Sequence, residues 1–357
     1  MTVYLVFLGI IFFGDLITKK NKTFSNIYHI VIFIVMVLIS GLRNPEMGLN
    51  DFSNGYLQGW QVVCSNDWEG VFSYVGNTNS ALKDVGFAIV CKLLSYVSTS
   101  ELFFQIVINI PYFAVLCWFV RKYSEVNWLS YIVLIVLQYF TLSYYVLRPM
   151  YAIIFIILAT DSIVCNKNKR AFIYSVIAVT MHSSAIAFFV VYLLNKIKSM
   201  KLFPVFIGSA FFIGLFGKDV LVFVLSLILG ESRFTYYLTA NLTEGLSRFF
   251  IALIFFLLSC YRYYTITKID EKNRLFINMS MISCVCLALT PIIADFWRIA
   301  LYFEFVNSIL LPKVLINEKL VSNRVIFLLI SIPVFLVYLF LFLLPGTNAL
   351  PYVTYFE

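Results

Sequence analysis

The chain has 357 residues, 62% of them hydrophobic and 12% charged, with a mean hydropathy of +0.93 and a formal net charge of +8. Soluble domains run nearer half apolar and a quarter charged, so the composition excludes a soluble enzyme and specifies an all-α, polytopic integral membrane protein. Apolar runs long enough to cross ~30 Å of hydrocarbon recur from end to end, and residues 1–357 read as a single membrane domain.

The opening run, MTVYLVFLGIIFFGDLI, has no basic residue ahead of it and no small-residue cleavage site behind it, so it reads as a retained first helix. That span covers 2–17. Others are predicted near 26–42, 101–120, 127–147, 149–165, 202–217, 247–264, 275–293, 298–314 and 324–345. Between 171 and 195 lies AFIYSVIAVTMHSSAIAFFVVYLL, with Lys167, Lys169 and Arg170 before it and Lys196, Lys198 and Lys201 after it. Basic residues favour the cytoplasmic side, so this stretch is expected to be a hairpin of two short helices with His182 at its outer tip; one long helix is the alternative. The hairpin brings the total to about 12 crossings (10–12), with both termini external.

On this topology the external members of the 26 lysines and arginines are Arg43, Lys83, Lys92, Arg148, Lys218, Arg233, Arg248 and Arg298. Lysine dominates inside and arginine outside. The positive charge therefore needs no nucleic acid to explain it; most of it orients the protein in its membrane.

Residues 43–100 form the main outer loop, opening with GLRNPEMGLNDFSNGY and running through Trp60, Trp68 and Tyr74. Its turns, aspartate and aromatics suit either a carbohydrate-facing surface or an interfacial aromatic belt. Asp51 and Tyr56 are its candidate functional groups. Cys64 and Cys91 lie in the same loop and could pair, whereas the other cysteines fall in spans, where packing accounts for them. The short apolar stretch 84–98 is expected to be an interfacial helix, and 219–230 to be interfacial or re-entrant.

Arg148, Arg248 and Arg298 each stand in or just before the first turn of a helix entering from outside. A cation there opposes the helix dipole by ~0.3–1 kcal/mol. The same helix end, with free N–H groups and an added arginine, makes an anion site. Pro149 fits as the first helical residue, where no N–H is needed. The competing explanation is contact with lipid headgroups or with an outer carboxylate such as Asp51 or Asp295. Arg43 closes a helix at its C-terminal end, where a cation is expected.

A second outer loop, 231–248, reads ESRFTYYLTANLTEGLSR and brings Arg233, Tyr236 and Tyr237 near Arg248. In ADFWRIALYFE, Asp295, Arg298 and Tyr302 share one helical face at i, i+3 and i+7. Glu304 lies deeper, where an ionisable residue is either functional or held by Ser308 or Asn307. His182 either packs or moves a proton near neutral pH, and His29 has only a packing role. No nucleotide loop, zinc-spaced histidine pair or Gly-x-Ser-x-Gly elbow occurs, and no metal or cofactor is expected.

The order of these features resembles the bacterial polysaccharide polymerases of the Wzy type, especially their EpsG-like branch. GLRNPEMGLNDFSNGY is similar to that family's Gly-x-Arg…Gly-Thr-Asp…Tyr stretch, LRPMYAIIFIILA to its Arg-Gln-x-x-Ala helix start, and AVTMHSSAIAFFVVYLL to its histidine hairpin. RFTYY and RIALYFEFVNSILLP resemble its later Arg/Tyr loop and its Arg…Tyr-Phe…Leu-Pro helix. Asn50 stands where threonine is usual, Pro149 replaces glutamine, and Met150–Tyr151 precede Ala152.

The resemblance implies an O-antigen polymerase in the bacterial inner membrane, its active site facing the periplasm. Its donor and acceptor would be oligosaccharide repeat units on undecaprenyl pyrophosphate, and a chain-length regulator would be a possible partner beside the membrane lipids. It also implies pyrophosphate binding by Arg43, Arg148, Arg233, Arg248 and Arg298, with Tyr56, Tyr236, Tyr237, Tyr302 and Glu304 around the substrate. Asp51, His182 and Asp295 are then the candidate bases. Two alternatives stay open, an O-antigen ligase and a lipid-linked oligosaccharide flippase. A flippase predicts internal repeats, and none is visible.

Overall fold

The computed structural model describes residues 1–18, 22–49, 51–76, 82–217, 220, 246–293 and 295–357. These are helical, with no strand among the described residues, and fall into two compact units: 1–186 with 318–357, and 187–317.

The first unit begins with α1 (Thr2–Thr18) and α2 (Lys22–Gly41). Each buries one stripe: Tyr4, Phe7, Ile11 and Asp15 in α1, and Tyr28, Ile32, Met36 and Ser40 in α2. The opposite faces expose Leu5, Phe13, Ile30 and Ile34, as a lipid-facing surface does. A π-helical turn (Phe52–Leu57), α3 (Gln58–Ser65), α4 (Trp68–Gly76) and α5 (Val85–Ser95) make up the early loop, so this loop is largely helical. Trp60 is fully buried, stacked on Phe104 at 4.5 Å and donating Nε1–H to the Thr99 carbonyl. It serves neither a sugar nor an interfacial belt; it is core.

Next come α6 (Glu101–Val107), α7 (Ile110–Tyr123), α8 (Asn127–Val136), α9 (Leu142–Tyr145), α10 (Leu147–Val164) and α11 (Asn168–Met181). The expected single span over 127–147 is therefore broken, at a turn where Gln138 takes φ 71°. Helix α10 is buried nearly all round and packs along α11; α11 in turn packs on α5. The chain breaks at His182, as expected, and resumes as a 3-10 helix (Ser183–Val190).

The second unit holds α12 (Val191–Leu194), α13 (Phe203–Phe216), α14 (Leu246–Tyr261), α15 (Tyr263–Ile269), α16 (Lys272–Ala288), α17 (Phe296–Glu304) and α18 (Asn307–Ile316). Its centre is α16, packed against α13, α14 and α17. The chain then returns to the first unit with α19 (Val321–Tyr338), a π-helical turn (Leu339–Leu343) and α20 (Leu344–Gly346).

Among the described residues, four stretches, 23–41, 101–123, 147–164 and 321–346, are long and apolar enough to cross a membrane, and two bent pairs, 247–269 and 296–316, would each add one. The expected spans 2–17, 202–217 and 275–293 are helices of shorter length. Cys64 and Cys91 are both free thiols.

The segment after α2 is laced to residues 348–355. Asn44 N–H donates to Val353 O, Tyr355 N–H to Leu42 O, and Tyr352 Oη–H to Ile39 O. Tyr4 Oη–H donates to Ala349 O at 3.0 Å, so residues 4, 39–48 and 348–355 share one end of the unit. Gly48 lets the same segment approach α9. Its φ is +92°, and a Cβ there would lie 2.7 Å from the Tyr144 carbonyl oxygen.

Candidate functional site

A set of charged and ionisable groups in the first unit gathers at the head of α10. That helix begins two residues before Pro149, which sits in the first turn, where the missing N–H leaves no bond unmade. The neighbouring Arg148 N–H is an orphan of the same turn, and Tyr56 Oη accepts it at 3.4 Å. The π-helical turn thus brings Tyr56 onto the helix end, with Asp51 exposed just before that turn.

Arg148 does not stand alone. Its Nη1 donates to Asp84 Oδ2 at 2.9 Å, and the same oxygen lies 2.8 Å from His182 Nδ1. Asp84 Oδ1 accepts the Ser183 N–H at 3.3 Å. Asp84 precedes α5, Arg148 opens α10 and His182 closes α11, so three separate segments meet at one carboxylate. Gly86 makes the meeting possible: a Cβ there would lie 2.5 Å from Thr180 Oγ1 and 2.8 Å from the Thr180 carbonyl oxygen. Burial raises the Asp84 pKa, but the His182 hydrogen bond and charge, Arg148 and the Ser183 N–H outweigh it and hold the carboxyl below its ordinary value. Arg148 Nε is buried without a hydrogen-bond partner, so the guanidinium keeps a donor in hand.

Asp84 is the residue that sequence reasoning passed over. It stands where an N-cap belongs, directly before an apolar helix. Yet its side chain caps nothing there and reaches across to α10 and α11 instead.

Arg43, expected among the pyrophosphate ligands, is fully enclosed. Its Nη1 donates to Ser40 O at the end of α2 and its Nη2 to Tyr144 O, and its guanidinium lies 4.5 Å from the Phe52 ring centre and 4.7 Å from that of Tyr144. An anion would have to displace a ring to reach it. It acts as a clamp between α2 and α9.

In the second unit, Arg248 Nη2 donates to Glu304 Oε1 at 2.6 Å, with Glu304 1% exposed. This corrects the expectation that Ser308 or Asn307 holds Glu304: Ser308 Oγ donates to Phe305 O, and both side-chain polar atoms of Asn307 lack a partner. Arg298 pairs with Asp295 at 3.0 Å on the half-exposed head of α17, and Trp297 lies within cation–π distance of both Arg248 and Arg298. Tyr302 is fully buried. An apolar cavity of about 600 Å³ lies beside the head of α17, lined by Phe212, Phe216, Ile292 and Phe296 among others. Arg233, Tyr236, Tyr237 and all but the last three residues of the second outer loop lie outside the described residues.

Each of the three arginines at helix heads therefore has a protein carboxylate: Asp84 for Arg148, Glu304 for Arg248 and Asp295 for Arg298. A carboxylate partner is the competing explanation that the sequence left open, and for Arg298 the partner is Asp295 as named there. The carboxylate fixes each guanidinium, and in Arg148 and Arg298 the buried Nε keeps no hydrogen-bond partner. Among the described residues no group of three metal-ligating side chains occurs.

A sequence model described as the EpsG family matches residues 26–354. No curated protein and no solved structure matches.

Proposed function

Because this chain belongs to the EpsG family of Wzy-like polysaccharide polymerases, we propose that it polymerises oligosaccharide repeat units carried on undecaprenyl pyrophosphate. The reaction takes place at the outer face of a bacterial cytoplasmic membrane. The growing glycan leaves its carrier and joins the non-reducing end of the next unit. The observation that carries this reading is the meeting of Arg148, Asp84 and His182 at the head of α10. An arginine with a donor to spare, at a helix N-terminus, suits a pyrophosphate leaving group. Preorganised donors stabilise the charge that develops as it departs.

The test is a strain lacking the protein. Single repeat units on the lipid acceptor, with no long-chain ladder, support polymerisation. Long polymer accumulating on the carrier lipid would indicate a ligase, and units stranded on the inner leaflet a flippase; either sinks the proposal. In the complemented strain, Arg148→Ala is expected to abolish long chains at normal abundance. Arg148→Lys restores them only in part, since a point charge lacks the planar fork.

A further inference from the structure

We infer that Arg43, Gln105 and Asn109 enclose a bound water molecule in the first unit, beside the turn that carries Tyr56. The inference stands apart from the polymerase reading and holds whatever the protein's substrate.

All three side chains are fully buried. Gln105 Nε2 donates to Arg43 O at 2.6 Å and Asn109 Nδ2 to Gln105 O at 2.7 Å, so the three residues form one cluster. These bonds also fix which way each amide points. Exchanging its oxygen and nitrogen would set one carbonyl oxygen against another with no proton between them. Gln105 Oε1 and Asn109 Oδ1 are then two buried acceptors without a partner, four residues apart in the chain. Arg43 spends Nη1 on Ser40 O and Nη2 on Tyr144 O, and its Nε is a buried donor without a partner. A buried polar group left unmade costs its full desolvation penalty, so three in one cluster call for a ligand that satisfies them.

The three atoms name that ligand. Two amide oxygens need two hydrogen-bond donors, and Arg43 Nε needs an acceptor. The guanidinium repels a metal cation, and the two amide oxygens repel an anion. Phe52 and Tyr144, whose rings flank the guanidinium, are themselves buried, which excludes a sugar or a lipid headgroup. Water supplies two protons and a lone pair, and three partners are what a buried water usually makes. The place suits it as well. Asn109 stands in the break between α6 and α7, and Pro111, in the first turn of α7, offers no N–H to the Val107 carbonyl. Interruptions of the helical ladder are where water enters helices. The water ties the end of α2, through Arg43, to that break, and the guanidinium it steadies is the one beside Phe52, where the Tyr56 turn begins.

The test is a density map of the purified full-length protein in lipid nanodiscs, at a resolution that shows ordered waters. The expected result is one peak within ~2.7–3.2 Å of Gln105 Oε1, Asn109 Oδ1 and Arg43 Nε. Side chains closed directly on one another, with no peak between them, overturn the proposal. A peak at the ~2.0–2.6 Å distances of a bound metal ion does so too. Unfolding temperatures give a second measure. Gln105→Met and Asn109→Leu each remove one of the water's partners and are expected to lower the unfolding temperature. Together they lower it by less than the sum, because the first change has already released the water that the second would lose. Strictly additive shifts count against the shared water, and a single variant that melts above wild type would mean that its amide oxygen sits dry.

Discussion

Gly86→Ala tests whether the close approach of α5 to α11 is what assembles the site. The new Cβ would meet the Thr180 hydroxyl at 2.5 Å and the Thr180 carbonyl oxygen at 2.8 Å, where ordinary contact begins at 3.4 Å. The hydroxyl can be relieved by rotation, but the carbonyl belongs to the backbone of α11. The helices must therefore part by the difference at the carbonyl, 3.4 less 2.8, or about 0.6 Å. Asp84, two residues ahead, rides with α5. If the shift is fully transmitted, its bonds of 2.9 and 2.8 Å to Arg148 and His182 lengthen to about 3.5 and 3.4 Å, beyond the normal range of ~2.7–3.2 Å. Overpacking of this kind costs ~1–3 kcal/mol of stability, which a folded protein often survives. A misplacement approaching 1 Å in a catalytic group costs ~10²-fold in rate. The expected result is a protein that accumulates but extends chains at least tenfold more slowly, measured as initial rate per amount of protein in membranes. Adding Thr180→Ala removes the hydroxyl clash and leaves the carbonyl, so rescue is partial. A wild-type rate from Gly86→Ala, or full rescue by Thr180→Ala, would refute the reasoning.

Arg248→Ala strands the buried Glu304 charge and is expected to destabilise by about 3–5 kcal/mol, visible as a lower unfolding temperature in detergent. An unchanged unfolding temperature would mean the pair contributes nothing to the fold. Asp84 has a depressed folded pKa, so its stabilisation is fully present above the unfolded value of ~3.9 and is lost as pH falls through the lower folded value. The stability gap between wild type and Asp84→Asn should accordingly stay flat across the neutral range and shrink only below about pH 4; a gap fading near pH 6 contradicts it. Reporter fusions after residue 70 are expected to read external, and those after residues 122 and 270 internal.

The helices were legible because apolar runs and their breaks are local. The interruption at His182 and the start of α10 around Pro149 came out within two residues. Arg148 and His182 stood out because each breaks a rule for its surroundings, and the ordered motifs pointed to the right family. What joins them was not legible. The partners of Asp84 lie 64 and 98 positions away, and Glu304 is 56 from Arg248. No periodicity links such pairs; only the packing of α5 on α11, or of α14 and α17 on α16, brings them together. Trp60 misled for the same reason. An aromatic in an external loop reads as interfacial until the loop folds into helices that enclose it.

The lacing of residues 39–48 to residues 348–355 sets an order of events during synthesis. Tyr352 reaches back 313 positions to Ile39, and at ~5–20 residues per second a ribosome needs on the order of 15–60 s to traverse that distance. For that interval the segment carrying Arg43 sits in the membrane region with its last strap missing, and the earlier half of the first unit waits while all of the second is made. Nascent chains halted before residue 348 should be markedly more open to proteases around residues 42–48 than finished ones. The first unit to be inserted is the last to close.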